Sequence, residues 1–193
     1  MRSIKIASAD RLKAEFERKF EKDKIVSDFT SAYIFEKDKS LQHLIHSLKY
    51  EENFKVGIYL GRIVAELCGN IINKWKADYL VPVPLHHLKK AERGYNQSYF
   101  IARGISSVLK TKVCNNVLKR NKYTNTQTEL TLIERKDNIR DAFEIKNKNL
   151  VNNKIFILVD DVITTGATIT ECGQILLLNG ASKVYALSVA IAD

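Results

Sequence analysis

Ile155-Phe156-Ile157-Leu158-Val159, introduced by Lys154, runs straight into Asp160-Asp161-Val162-Ile163-Thr164-Thr165-Gly166-Ala167-Thr168. The apolar run predicts a strand over 154–159, the polar string a turn, and the apolar-periodic residues beyond it a helix from about 167 to 179. Asn179-Gly180-Ala181 ends that helix, since glycine takes up the left-handed conformation of a helix stop at little cost. A second apolar run at 183–191 predicts another strand. Continuously apolar strands joined by a helix belong to a parallel sheet covered on both faces. The fold class is therefore α/β, mostly parallel, with helices on both faces of the sheet.

Two adjacent aspartates at the carboxyl end of a buried strand repel each other and resist desolvation, so they call for a reason. In an open α/β sheet that end is where ligands bind. Carboxylates there can accept hydrogen bonds from vicinal hydroxyls or hold the waters of a magnesium ion. Residues 164–168 open the helix, whose first amides carry the positive end of its dipole, and Gly166 lets the backbone close on an anion. A diol on one side and a phosphate on the other describe a ribose 5-phosphate. The local alternative makes Asp161 and Thr164 turn and cap residues, with Gly166 present for tightness; nine consecutive residues of this kind favour the ligand site.

Working outward, Leu12, Phe16 and Phe20 recur every four residues and predict an amphipathic docking helix over 9–24. Residues 30–35 predict a strand, Ser40 the cap of a helix carrying Leu41, Leu44, Ile45 and Leu48, and 54–73 a longer helix with Val56, Leu60, Ile63, Val64 and Leu67 inward. Residues 78–84 form a short strand whose Pro82 and Pro84 end its pairing. A helix over 95–109 buries Phe100, Ile101, Ile105 and Val108. Residues 112–146 mix short extended pieces with a polar helix around 128–138. The expected organisation is an N-terminal helical extension, 1–29, and one domain, 30–193.

Composition narrows the class. With 193 residues, 45% hydrophobic and 27% charged, the chain is neither disordered nor fibrous. No apolar run reaches the roughly 18 residues of a bilayer span. Asp10, Glu15 and Glu17 stand where a signal peptide would be apolar, which argues against export by that route. Cys68, Cys114 and Cys172 are odd in number and far apart, which fits neither a disulfide framework nor a zinc site; they read as small buried hydrophobes in a reduced, cytoplasmic protein. The net charge of +9 is uneven: +2 over residues 1–73, +10 over 74–154 and −3 over 155–193. A basic middle beside an acid-tipped segment predicts a cleft for a polyanion.

The string 160–168 behind four hydrophobic residues resembles the phosphoribosyl pyrophosphate (PRPP) signature of the type I phosphoribosyltransferases. Ser47-Leu48-Lys49-Tyr50, Val81-Pro82-Val83-Pro84-Leu85-His86, Arg93-Gly94-Tyr95-Asn96-Gln97, and the series Arg120, Thr124, Gln127, Arg135, Asn138, Phe143 match in order the pattern of the ComF family over residues 30 to 192. The resemblance implies a type I phosphoribosyltransferase-like fold and displacement of pyrophosphate from PRPP by an acceptor that the sequence does not name, a glycosyltransferase-class reaction. It implies that Asp160 and Asp161 hold the ribose hydroxyls, with Mg²⁺ held through PRPP and by no direct protein ligand. Thr164, Thr165, Gly166, Ala167 and Thr168 would cradle the 5-phosphate. Arg93, Lys90 and Gly94 would meet the pyrophosphate, Arg93 foremost because a guanidinium grips phosphate oxygens in pairs. Residues 119–140, with Arg120, Lys122, Gln127 and Arg135, would form a mobile loop.

His86 and His87 read as surface groups, and Lys89-Lys90 as either a solvated pair or phosphate donors. ComF proteins are associated with natural competence, the uptake of DNA, and many begin with a four-cysteine zinc finger that this chain lacks. Possible partners are therefore PRPP, single-stranded DNA and proteins of the competence machinery. Tyr95, Tyr99 and Tyr123, set among basic residues, suit base stacking. Two alternatives stay open: a non-catalytic single-stranded-DNA-binding accessory with a vestigial PRPP pocket, and a nucleobase-salvage phosphoribosyltransferase.

Overall fold

The computed structural model describes residues 4–36, 40–51, 53–121 and 141–192. Five parallel strands form the main sheet in the order β1 (Phe29–Ile34), β7 (Lys183–Ile191), β6 (Ile155–Ile163), β2 (Tyr79–Pro82), β3 (Lys112–Val113). A separate antiparallel ribbon pairs β4 (Leu118–Arg120) with β5 (Phe143–Ile145). The predicted parallel α/β sheet is present.

β6 is central, and its alternation explains the two layers. Phe156 and Leu158 point into one core with Phe20, Phe143 and Leu176, while Ile157 and Val159 point into the other with Leu60, Ile101 and Leu187. All four β6 side chains are fully buried, so this strand reads as a continuous apolar run rather than an alternating one. Helix α6 (Ala167–Leu178) covers the first face; α3 (Phe54–Lys74) and α5 (Gln97–Leu109) cover the second. Pro82 fits inside the sheet because β3 pairs only with Tyr79 and Leu80, leaving the side of β2 that Pro82 cannot donate from unpaired.

α3 and α5 approach each other through glycine. A Cβ on Gly61 would lie 2.1 Å from the Ile101 carbonyl oxygen, and one on Gly104 would lie 2.2 Å from that of Ile58. This backbone-to-backbone contact packs α3 and α5 closely on their face of the sheet.

Several sequence expectations are corrected. β6 does not stop at Val159: it runs through both aspartates to Ile163, pairing Asp160 with Ser188 and Val162 with Ala190 of β7. Leu67 and Val108 face solvent, 46% and 42% exposed, because small residues (Gly61, Ala65, Cys68, Ala102, Gly104) fill the contact lines of α3 and α5 instead. The N-terminal helix, α1 (Ala9–Phe16), passes into a π-helical turn at Glu17–Glu21. A short helix, α4 (His87–Arg93), occupies what read as a loop. The polar helix expected around 128–138 lies outside the described residues. Gly180 does take the left-handed conformation, φ 94°, after α6, and all three cysteines are buried free thiols. Among the described residues no helix is long and apolar enough to cross a membrane.

Candidate functional site

The carboxyl ends of β6 and β2 face a common centre. On one side, Asp160, Val162, Ile163 and residues 164–169 line a pocket at the start of α6. Gly166, φ 79°, caps α6 without a side chain, and the Thr165 hydroxyl accepts from the Ala167 amide, 3.3 Å. The first turn therefore presents its dipole to the pocket, the arrangement that receives a phosphate.

The twin aspartates have separate environments because consecutive strand residues point to opposite faces. The Asp160 Oδ1 accepts from the Ser98 hydroxyl at 3.1 Å and the Asp161 amide at 2.9 Å, and its Oδ2 has no hydrogen-bond partner among the described residues. Burial, reinforced by the neighbouring Asp161 carboxylate, raises the Asp160 carboxyl above the usual carboxylate range. Asp161 is buried and ion-paired to Lys49 Nζ at 2.8 Å, while its Oδ1 accepts from the Val162 amide at 2.7 Å. Burial works against the Lys49 charge, but the attraction of Asp161 and their hydrogen bond outweigh it and raise its pKa. Of the two carboxylates, Asp160 lines the pocket and Asp161 is engaged by α2 (Ser40–Tyr50).

Helix α4 follows the carboxyl end of β2 and buries one of its cations. His86 is 4% exposed: its Nδ1 accepts from the Leu88 amide at 3.3 Å and its Nε2–H donates to the Asn121 carbonyl at 3.1 Å. The surface histidine expected here is thus a buried helix cap, because α4 needs an acceptor for its first amides; His87 is the exposed one. Lys90 is exposed and Lys89 buried, so helical phase turns Lys89, not Lys90, inward. Burial and the nearby Arg120 and Arg93 lower the Lys89 ammonium to about 8.

Gly94, φ 73°, ends α4 immediately after Arg93. The Arg93 guanidinium lies 5.5 Å over the Tyr50 ring and donates through Nη1 to the Gln97 Oε1 at 3.3 Å. Arg93 Nε and Gln97 Nε2 are buried without a hydrogen-bond partner among the described residues, which marks donors waiting for an acceptor. Arg120 stacks 5.2 Å over Phe143. Burial lowers its pKa, opposed by Cys172 and Asp160.

Lys122, Gln127, Arg135 and Tyr123 lie outside the described residues. Tyr95 is structural: its hydroxyl donates to the Leu48 carbonyl at 2.5 Å and its ring meets Phe100 edge-on. Tyr99 packs on Phe100 likewise. The sequence reading did not single out Lys49, Ser98 and Gln97, and it weighed Lys89 with Lys90 but chose Lys90. Lys49 and Gln97 sat in quoted motifs, but nothing local to them pointed at Asp160 and Asp161.

Comparison with known proteins agrees with this layout. The model of the phosphoribosyl transferase domain matches residues 59–192. Competence protein F of Haemophilus influenzae is 32% identical over 158 residues, covering 78% of this chain and 67% of that protein. DNA utilization protein YhgH of Escherichia coli is 32% identical over 150 residues, covering 75% of this chain and 64% of its own length. The chain thus spans about two thirds of the length of these relatives. Among solved structures, a glutamine PRPP amidotransferase from B. subtilis complexed with ADP and GMP superposes with TM-score 0.47 at 19% identity, over 69% of this chain and 26% of that one. The domain model over residues 59–192 and the 32% identity to competence protein F show that the chain belongs to the phosphoribosyl transferase domain family, within its ComF group.

Proposed function

We propose that this protein binds PRPP together with Mg²⁺ and acts in the use of incoming DNA at the cytoplasmic face. One observation carries the reading: at the carboxyl end of one sheet, a helix start without a side-chain cap and an aspartate oxygen with no hydrogen-bond partner among the described residues line one pocket, and Lys49 and Arg120 lie within electrostatic reach of that aspartate, with Lys89 and Arg93 beside them. The first-turn amides of α6, with Thr165 and Thr168, would take the 5-phosphate. Asp160 would accept from the ribose hydroxyls. Arg93, Lys89 and Gln97 would meet the pyrophosphate, as paired donors suit phosphate oxygens. The Asp160 Oδ2, without a hydrogen-bond partner among the described residues, suits a Mg²⁺-bound water, and the ion would supply charge neutralisation for the diphosphate.

Transfer would break the bond from C1 of the ribose to pyrophosphate, which leaves with the electron pair. C1 would bond to a nucleophilic atom of the acceptor, and the acceptor would lose a proton. The involvement of DNA rests on the names of the relatives and on the net charge of +10 over residues 74–154.

Calorimetry of the full chain with PRPP and Mg²⁺ tests the reading. Saturable binding that Asp160→Asn weakens supports it, and no binding by the wild-type protein sinks it. A screen for pyrophosphate release with bases, amines and single-stranded DNA identifies the acceptor. For the accessory role, single-stranded DNA binding should ignore sequence and fall steeply with salt; salt-insensitive binding would speak against it.

A further inference from the structure

The N-terminal segment reaches the phosphate loop from behind. The Lys19 ammonium donates to the Thr164 carbonyl oxygen and, at 3.0 Å, to that of Ala192. Ala192 in turn donates its amide to the Ile163 carbonyl at 2.8 Å, so one cation ties the ends of β6 and β7 to the loop. Its side chain is 5% exposed and lies 3.1 Å from Glu15, whose buried carboxylate also receives Arg11 at 2.7 Å and Arg18 at 2.6 Å. Glu15 is held by three cations and is therefore a fixed anchor for Lys19.

The next residue, Phe20, is 1% exposed and stands where a Gly166 Cβ would be, 2.7 Å from its ring edge. Phe29 closes on Phe20 from the other side, ring centroids 5.6 Å apart. The loop is thus gripped at Thr164 by charge and at Gly166 by shape. The carbonyl and amide of a trans peptide point opposite ways, so drawing the Thr164 carbonyl to Lys19 turns the Thr165 N–H away from the N-terminal segment.

We propose that Lys19, oriented by Glu15, is a positioning residue that holds residues 164–166 in the conformation presenting their backbone to the 5-phosphate of a sugar phosphate. The inference rests on the reading of that loop as a phosphate site. It gives the N-terminal helical segment a role in ligand affinity that burial of Phe20 alone would not require.

Calorimetry of wild type, Lys19→Met and Lys19→Arg with ribose 5-phosphate, and separately with Mg²⁺-pyrophosphate, tests it. Lys19→Met should weaken ribose 5-phosphate by about tenfold or more, the scale of a lost charge-assisted hydrogen bond, and leave pyrophosphate unchanged, with Lys19→Arg restoring much of the loss. Equal weakening of both probes, or unchanged ribose 5-phosphate affinity, overturns the role of Lys19. Failure of the wild-type protein to bind ribose 5-phosphate overturns the phosphate-loop reading itself. Should Lys19→Met not fold, hydrogen exchange on the wild type decides. By reciprocity, ribose 5-phosphate should slow exchange across residues 15–21, which lie behind the pocket, and no slowing there overturns the proposal.

Discussion

Lys49, at the end of α2, and Asp161, near the end of β6, meet in an ion pair of 2.8 Å that joins the helical layer to the acidic tip of the central strand. The pair separates the roles of two consecutive aspartates. Asp161 is neutralised from within, and Asp160 is left to face the pocket with one oxygen unpartnered among the described residues.

Lys49→Met should destabilise the protein. Removing Lys49 leaves a largely buried carboxylate without its cation, at about 1–3 kcal/mol. Urea denaturation would register this as a lower midpoint at unchanged slope. A midpoint equal to wild type would show that solvent replaces the pair.

Gly104→Ala tests the helix crossing. The added methyl would enter the Ile58 carbonyl, a backbone atom that cannot swing aside, so α3 and α5 must separate. Overpacking of this kind costs about 1–3 kcal/mol, and because α5 carries Ser98 to Asp160, PRPP affinity should fall as well. Thermal denaturation paired with calorimetry would measure both losses.

Binding of PRPP with Mg²⁺ should fall off at both ends of the pH range. Lys89 loses its charge as pH rises through about 8, removing a donor to pyrophosphate. Asp160, raised by burial and by Asp161, becomes protonated as pH falls towards neutrality and below, and a neutral carboxyl holds a cation poorly. Stability follows Lys89 in the opposite sense. The unfolded lysine, near 10.4, binds its proton more readily than the folded one, so stability rises with pH between about 8 and 10.4. Titrating affinity against pH for Lys89→Met should show the alkaline limb removed and the acid limb kept.

Arg93→Ala should weaken Mg²⁺-pyrophosphate by about 10- to 100-fold, the range of a hydrogen bond to a charged group. Arg93→Lys should recover only part, since an ammonium cannot reproduce the guanidinium fork or its stacking on Tyr50. Full recovery by lysine would reduce the contact to simple charge.

Much of this architecture was written locally. The apolar run at 155–159 read as a buried strand, Gly180 as a helix stop, and the threonine-glycine string as the turn between strand and helix. Each follows from backbone sterics and burial within a dozen neighbouring residues. Phase and partnership were not local. Leu67 and Val108 looked inward by their chemistry, yet the glycine contact between α3 and α5 assigned the interior to smaller residues. Of Lys89 and Lys90 the sequence reading chose Lys90, and the helical phase of α4 turned Lys89 inward instead. Asp160 and Asp161 read as a like pair beyond the end of a strand; the run of β6 through both made them diverge, and packing supplied Ser98 to the first and Lys49 to the second. Side-chain direction is a property of the element. The group it meets comes from another part of the chain, and no short-range rule reaches that far.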